Sequence, residues 1–326
     1  MFSTRTYDRA SFSAASAHSA HRFRFVDARL TTETAALAHE SLAVCAFVND
    51  DLSDVVLRQL ADVGVRHVAL RSAGYNHVDL NAARDLGLTV VRVPAYSPNA
   101  VAEHTIALIL AVNRHIPRAH DRVRDRNFSL EGLVGFDLKD KTVGVIGTGK
   151  IGALVARLLW HFRCKVIAAD PVVDPALVEL GVTYVPLDDL WPQCDIISLN
   201  APLLDSTHHL VNAATIARCK RGVMIVNTGR GPLVDTAAVV DALKTGQIGS
   251  LALDVYEEER TLFFEDRSSD ILDDDVFARL ITFPNVLITA HQAFLTNEAL
   301  AAIAEITLAN LDDLAAERPC ANAVTA

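Results

Sequence analysis

The stretch TVGVIGTGKIGALVARLLWHFRCKVIAAD, residues 142–170, reads as a strand, a glycine turn, a helix and a second strand in unbroken succession. The apolar run at 142–146 leads into GTGKIG, and Ile151, Leu154, Val155, Leu158, Leu159 and Phe162 then recur at the spacing of one helix face. The three glycines have separate causes. Gly147 permits the tight turn, Gly149 lets backbone approach a pyrophosphate, and Gly152 lets helix and strand pack closely. The helix N-terminus that follows presents N–H groups to negative charge. KVIAA ends in Asp170, 18 positions past Gly152, where a carboxylate accepts from a ribose 2′-OH and repels a 2′-phosphate. The expected cofactor is therefore NAD rather than NADP.

On the C-terminal side the same grammar continues with DIISL at 195–199, GVMIV at 222–226, SLALD at 250–254 and NVLIT at 285–289. On the N-terminal side CAFV at 45–48, HVAL at 67–70 and TVVRV at 89–93 alternate with amphipathic segments. Such β/α alternation predicts an α/β protein with mostly parallel sheets. Over 326 residues, 51% of them hydrophobic, it predicts two doubly wound domains, Rossmann-like or flavodoxin-like, flanking a cleft. Helical spacing from about 296 to 315 (Leu300, Ile303, Ile306, Leu311) sends the chain end back onto the first half. The expected division is a discontinuous substrate domain, 1–100 plus 296–326, and an NAD-binding domain, 101–295.

The longest apolar stretch, VAEHTIALILAV at 101–112, is too short to span a bilayer, which takes about 20 residues. It reads as a buried helix that Ser97 caps, Pro98 begins and Pro117 kinks or ends. With a net charge of −10 and no Lys/Arg block, neither nucleic acid nor a membrane surface is an expected partner. Cys45, Cys164, Cys194, Cys219 and Cys320 are odd in number and widely spaced, which fits reduced thiols in a cytoplasmic protein and no metal site. The N-terminal 25 residues are rich in Ser, Ala and Arg but lack the apolar core of a secretory signal. His208 and His209 lie outside any metal-binding spacing and read as solvent-facing loop residues; EDRSSDILDDD at 265–275 reads as a solvated loop and helix start.

Ligands of open parallel sheets sit beyond the carboxyl ends of the strands. Polar groups fall there after three strands: Arg230 after GVMIVNTG, Asp254 after SLAL with Glu259 five positions on, and His291 after NVLITA. A guanidinium suits a carboxylate that must be gripped through two hydrogen bonds, which assigns Arg230 to the substrate. Hydride addition to a keto carbon needs a proton at its oxygen, histidine is the side chain generally suited to supply one near neutral pH, and His291 is the acid/base candidate. Glu259 would favour the protonated imidazole and orient it.

These residues resemble the D-isomer-specific 2-hydroxyacid dehydrogenase family over nearly the whole chain, through GTGKIG, NTGRGPLVD at 227–235, LDVYEEE at 253–259 and AHQAF at 290–294. RSAGYNHVDL at 71–80, VPAYSPNAVAEH at 93–104 and ERTLFFEDRSSD at 259–270 resemble the branch that interconverts pyruvate and D-lactate. The resemblance implies Arg230 as substrate clamp, Glu259 as partner and His291 as acid/base. It implies Lys150 and Ile151 over the pyrophosphate, Asp170 on the adenosine ribose, and Ala201, Pro202, Thr207, Thr228, Gly229 and Asp254 elsewhere along the cofactor. For the substrate it implies the backbone N–H groups of Ala73 and Gly74, with Phe47, Tyr96 and Phe294 around a small side chain. Aromatic walls around a methyl group favour pyruvate. Glyoxylate, hydroxypyruvate or branched keto acids remain alternatives, as does an NAD-sensing corepressor, since the family includes one. A homo-oligomer, dimer or tetramer, is expected.

Two departures stand out. Only Met1 and Phe2 precede the STRTYD segment, so the first strand expected there is almost missing, and either a start upstream or a weak edge of the small domain is expected. The other is His77, where relatives often carry a small amide, at the expected mouth of the substrate site.

Overall fold

The computed structural model describes the backbone of residues 1–326 and every side chain except that of Thr261. The chain divides into two compact units, Met1–Ser97 with Leu295–Ala326, and Pro98–Phe294. Among the described residues no helix is long and apolar enough to cross a membrane.

The small unit opens with α1 (Thr6–Ala15) and continues through β1 (Ala43–Ala46), α2 (Asp54–Asp62), β2 (His67–Leu70), α3 (Leu80–Asp85) and β3 (Thr89–Val91). The β1, β2 and β3 strands are parallel neighbours in that order. The first strand ends two residues short of the apolar run because the Phe47 N–H turns out to the Asp50 carboxylate at 2.7 Å. Asp50 is fully buried and also accepts from Ser3 Oγ (2.6 Å) and Leu30 N–H (2.8 Å). The sheet edge expected to be weak is covered: Phe2 is 2% exposed and its N–H donates to the Cys45 carbonyl at 3.0 Å.

The large unit begins with α4 (Pro98–Asn113), which starts at the expected proline. Pro117 neither kinks nor ends that helix; it sits in the first turn of α5 (Ile116–Arg124), where its missing N–H has no helical partner to lose. Then follow β4 (Thr142–Ile146), α6 (Lys150–His161), β5 (Lys165–Ala169), α7 (Pro175–Leu180), β6 (Thr183–Tyr184), α8 (Leu187–Leu190), β7 (Ile196–Leu199), α9 (Ala213–Arg218), β8 (Val223–Asn227), α10 (Thr236–Thr245), β9 (Ile248–Leu253), α11 (Asp275–Leu280) and β10 (Val286–Ile288). The seven strands form one parallel sheet in the order β10-β9-β8-β7-β4-β5-β6. Strand order reverses at β4, which pairs with β5 on one side and β7 on the other, so the loop after β4 stands at the topological switch point.

Apolar layers on both faces hold this sheet. One face packs Val143, Val145, Val155, Leu159 and Leu177, the other Ile197, Leu199, Ile225, Leu251 and Trp191. Full burial of such side chains contributes about 1.5–3 kcal/mol each. Cys164, Cys194 and Cys219 belong to these layers, and burial pushes their thiols up to about 11, 12 and 11. All five cysteines are free, and thiols so far above neutrality are poor nucleophiles.

The chain returns to the small unit as α12 (Asn297–Ala315) and β11 (Ala323–Val324). The last strand adds to β3 in the antiparallel sense, so the small sheet carries an antiparallel edge beside three parallel strands.

Candidate active site

The glycine loop is shaped by contact on one side and open space on the other. Gly147 has φ +88°, and a Cβ there would come within 2.7 Å of the Asn200 and Ala201 backbone. At Gly152 a Cβ would fall 1.9 Å from the Gly147 carbonyl oxygen, whereas at Gly149 it would meet nothing within 4 Å. Backbone is thus closely packed where helix meets strand and accessible where a pyrophosphate must approach.

Beside the loop lies a cavity of about 710 Å³, lined by Gly147, Gly149, Asp170, Ala201, Pro202 and Thr207 among others. Asp170 accepts the Thr148 N–H at 2.6 Å and the Val172 N–H at 2.8 Å, which fixes its carboxylate at the cavity wall. Thr148 is itself held by Tyr184, whose hydroxyl donates to Thr148 Oγ1 at 2.9 Å. Thr207 closes a turn, donating to the Pro202 carbonyl (2.7 Å) and accepting the Leu204 N–H (2.8 Å). Val172, Val185, Pro186 and Leu204 supply an apolar lining suited to a flat heteroaromatic base. Sequence reasoning missed these walls and Asn200, whose position just past β7 at the switch point was the available signal. An Asp170→Ala variant should raise the KM for NADH by roughly tenfold or more, the worth of a hydrogen bond to a charged group, and narrow the preference over NADPH. Unchanged KM values would remove Asp170 from the ribose.

Lys150 and Ile151 open α6, exposed and half-buried respectively. Thr228 is buried with its hydroxyl 2.8 Å from Thr105 Oγ1, and the Gly229 N–H donates to Asn227 Oδ1 at 3.0 Å. Neither Lys150, Ile151, Thr228 nor Gly229 lines the cavity.

Three of the strand-end groups form connected chemistry. His291 Nδ1 lies 2.8 Å from Glu259 Oε1, and Glu259 Oε2 accepts the Tyr256 N–H at 3.1 Å. With the imidazole and carboxylate side chains 17% and 18% exposed, the pair is shielded without being sealed. Donation from Nδ1–H to the carboxylate leaves Nε2 for a reacting group. His291 itself has φ +53°, a left-handed backbone that its N–H bonds to the Asp254 carbonyl (2.6 Å) and the Thr289 carbonyl (3.0 Å) hold in place.

Asp254, expected along the cofactor, is 1% exposed and turned inward. Its carboxylate accepts from Thr289 Oγ1 (2.6 Å), Gln292 N–H (2.8 Å) and Ala293 N–H (2.9 Å). Burial pushes this carboxyl up, but the adjacent His104 imidazole, the Thr289 hydroxyl, the charge of His291 and the Ala293 N–H outweigh it and leave the group below its ordinary value. The observed work of Asp254 is to anchor the loop that bears His291.

Arg230 follows β8, half-buried, with Nη1 donating to the Gly229 carbonyl at 2.7 Å and its own carbonyl accepting from Asn227 Nδ2 at 2.8 Å. The next residue explains how its loop is seated: a Cβ on Gly231 would fall 2.0 Å from the Tyr256 carbonyl. Only glycine lets the Arg230 loop lie directly on the turn that carries Glu259.

The expectation that both adjacent histidines face solvent holds only for His208. His209 is half-buried and ion-pairs with Glu257, whose other oxygen accepts the Thr236 N–H (3.2 Å) and hydroxyl (3.0 Å). In the acidic stretch Asp274 caps α11, accepting the Phe277 N–H at 2.8 Å, and takes the Tyr256 hydroxyl at 2.6 Å.

On the small unit, the Ala73 carbonyl accepts from Arg92 Nη1 and the Gly74 carbonyl from Ser72 Oγ, each at 2.8 Å. The Ala73 carbonyl shares its peptide group with the Gly74 N–H, so the Arg92 bond orients that amide, and among the described residues neither the Ala73 nor the Gly74 N–H is taken by an acceptor. Phe47 lies under the Arg71 guanidinium, 4.7 Å from carbon to ring centroid, and Arg71 is held by Asp8 and the Phe2 and Ser3 carbonyls. Tyr96 and His77 are half-buried in turns of this unit. Phe294, on the large unit, is 8% exposed.

Residues 106–293 match the family described as D-isomer specific 2-hydroxyacid dehydrogenase, NAD binding domain. The chain is 52% identical over 322 residues to D-lactate dehydrogenase of Escherichia coli K12, covering 99% of this chain and 98% of that one. Among solved structures it superposes on the pyruvate reductase of Chlamydomonas reinhardtii with a TM-score of 0.94 at 45% identity, over 98% and 97% of the two chains. The D-lactate dehydrogenase of Aquifex aeolicus, solved with NAD and lactic acid, gives a TM-score of 0.86 at 32% identity, over 97% and 95%.

Proposed function

Because the chain belongs to the D-isomer specific 2-hydroxyacid dehydrogenase family, we propose that it reduces pyruvate to D-lactate with NADH, and runs the reverse reaction with NAD. The observation that carries this reading is the 2.8 Å pairing of His291 with Glu259 on the unit that contains the NAD-binding domain. The open backbone at Gly149, the cavity and the Asp170 carboxylate fit NAD. When bound, the reduced cofactor supplies the hydride.

The chain's own groups do the rest. His291, protonated and oriented by Glu259, hydrogen-bonds the keto oxygen through Nε2 and gives it a proton as the alcohol forms. Glu259 stabilises the imidazolium and keeps its tautomer. Arg230 grips the substrate carboxylate, and the resemblance also assigns the amides of Ala73 and Gly74 to the substrate. Phe47, Tyr96 and Phe294 are assigned to the small side chain. The sequence run ERTLFFEDRSSD and the likeness to enzymes named for D-lactate and pyruvate support the choice of acid.

The test is NADH oxidation by the purified protein with pyruvate, glyoxylate, hydroxypyruvate and a branched keto acid in parallel, followed by chiral analysis of the product. Preference for pyruvate with D-lactate as product supports the reading. Preference for another acid keeps the mechanism and discards the aromatic pocket, and no turnover with any of them discards the enzyme.

A second copy of the chain is the proposed protein partner. None of the α5 residues is buried, and just beyond it Phe128, Leu130 and Val134 are 73%, 80% and 87% exposed, an apolar surface of the kind oligomers cover. Light scattering should report at least a dimer that Phe128→Asp weakens; a monomer at working concentration would reject this.

A further inference from the structure

The chain passes from the small unit to the large one between Ser97 and Pro98, and returns between Phe294 and Leu295. One hydrogen-bonded chain joins the segments just inside these two crossings. His104, in the second turn of α4, places Nε2 3.1 Å from Thr289 Oγ1 and 3.5 Å from Asp254 Oδ1. Thr289 donates its only hydroxyl proton to Asp254 Oδ1 at 2.6 Å. Its oxygen can then only accept from His104, which makes Nε2–H the donor. Asp254 in turn receives the N–H groups of Gln292 and Ala293, and its carbonyl receives that of His291.

His104 is out of place as a packing residue. The helix around it is apolar, with Val101, Ala102, Ile106, Leu108 and Ile109 buried, and an imidazole in that setting needs a polar reason. The left-handed backbone of His291 supplies one: a non-glycine residue persists there only when its surroundings over-determine it. Asp254 can receive three donors in the required directions only if its carboxylate is itself fixed, and the His104–Thr289 bond fixes it from the helix side. The charged or titratable groups that meet in this network are His104 from α4, Asp254 at the end of β9, Glu259 from the following turn, and His291.

We propose that His104 is a positioning residue for His291: by donating to Thr289 it locks Asp254, and with it the 289–293 loop, in the geometry that presents His291 Nδ1 to Glu259. The proposal rests on the reading of His291 as the acid/base group. The link runs through groups with no proposed substrate contact of their own, so its loss should act on turnover and leave cofactor affinity alone.

The test compares His104→Leu, which deletes the donor, with His104→Gln, whose Nε2 amide can replace it. In the leucine variant kcat should fall roughly 10- to 100-fold, the scale of a small misplacement at the reacting centre, with the Kd for NADH within about twofold of the wild type. The glutamine variant should recover most of the loss. Amide hydrogen exchange at Gln292 and Ala293 should quicken in the leucine variant and not in the glutamine variant. Unchanged exchange in the leucine variant, equal impairment of both variants, or a parallel loss of NADH affinity would overturn the assignment. Exchange needs no substrate, so an inactive wild type would sink the proposed reaction and still leave the His104 link decided.

Discussion

Replacing His291 by Gln should lower kcat for pyruvate reduction by roughly 10²- to 10⁴-fold, the contribution of a placed general acid, while Kd for NADH stays within about twofold. Glutamine keeps a hydrogen-bond donor near the keto oxygen but has no proton to release at neutral pH, so binding survives and chemistry does not. Two features make a clean loss of rate the expected outcome. The Glu259 bond leaves Nε2 as the only imidazole nitrogen for the substrate, and the loop geometry is held by backbone N–H groups on Asp254 that the substitution leaves intact. Steady-state kinetics with a fluorescence titration of NADH reads both quantities. A variant with more than about a tenth of wild-type kcat would show that the proton comes from elsewhere, since general acid catalysis is worth at least a hundredfold.

Arg230→Gln should raise KM for pyruvate by roughly 100-fold or more and leave NADH binding nearly untouched. A guanidinium on a carboxylate makes two charge-assisted bonds, each worth about 1.5–3 kcal/mol, and about 1.4 kcal/mol is a factor of ten. Glutamine retains one neutral donor and loses the charge. The Arg230 backbone is anchored independently of the side chain, through Asn227 Nδ2 on its carbonyl and the close seat of Gly231 on Tyr256, so the loop should survive. Oxamate, which carries the same carboxylate and cannot be reduced, separates binding from chemistry. An unchanged oxamate Kd would remove Arg230 from the clamp, whatever happened to turnover. Lysine at this position should rescue only in part, because a point charge cannot reproduce a planar fork.

Much of the site was legible because its signals are local. The GTGKIG turn, Asp170 at the end of the next strand, and Arg230, Glu259 and His291 just past their strands all lie within a few residues of the pattern that betrays them. Residues whose partners lie far along the chain were not legible. His209 finds Glu257 48 positions away, and His104 finds Thr289 185 positions away; neither histidine stands at a spacing that marks it. Asp254 was singled out for its place at a strand end, but burial and three donors direct its carboxylate to the 289–293 loop. The strands β6 and β11 have two residues each, too few to show any periodicity, and Phe47 left its strand because the Asp50 carboxylate captured its N–H.

By itself the amino-acid order determined the α/β alternation and the glycine turn after β4, and it singled out the candidates Arg230, Glu259 and His291. Hydrophobic period and glycine sterics act between residues a few positions apart, so contiguous sequence contains them in full. Only the tertiary structure decided the order of the seven strands, the antiparallel edge of the small sheet, and the network that holds His291 in a left-handed backbone. Each of these depends on which distant donors and acceptors burial brings together, and a buried polar group takes the partner that topology delivers rather than its neighbour in sequence.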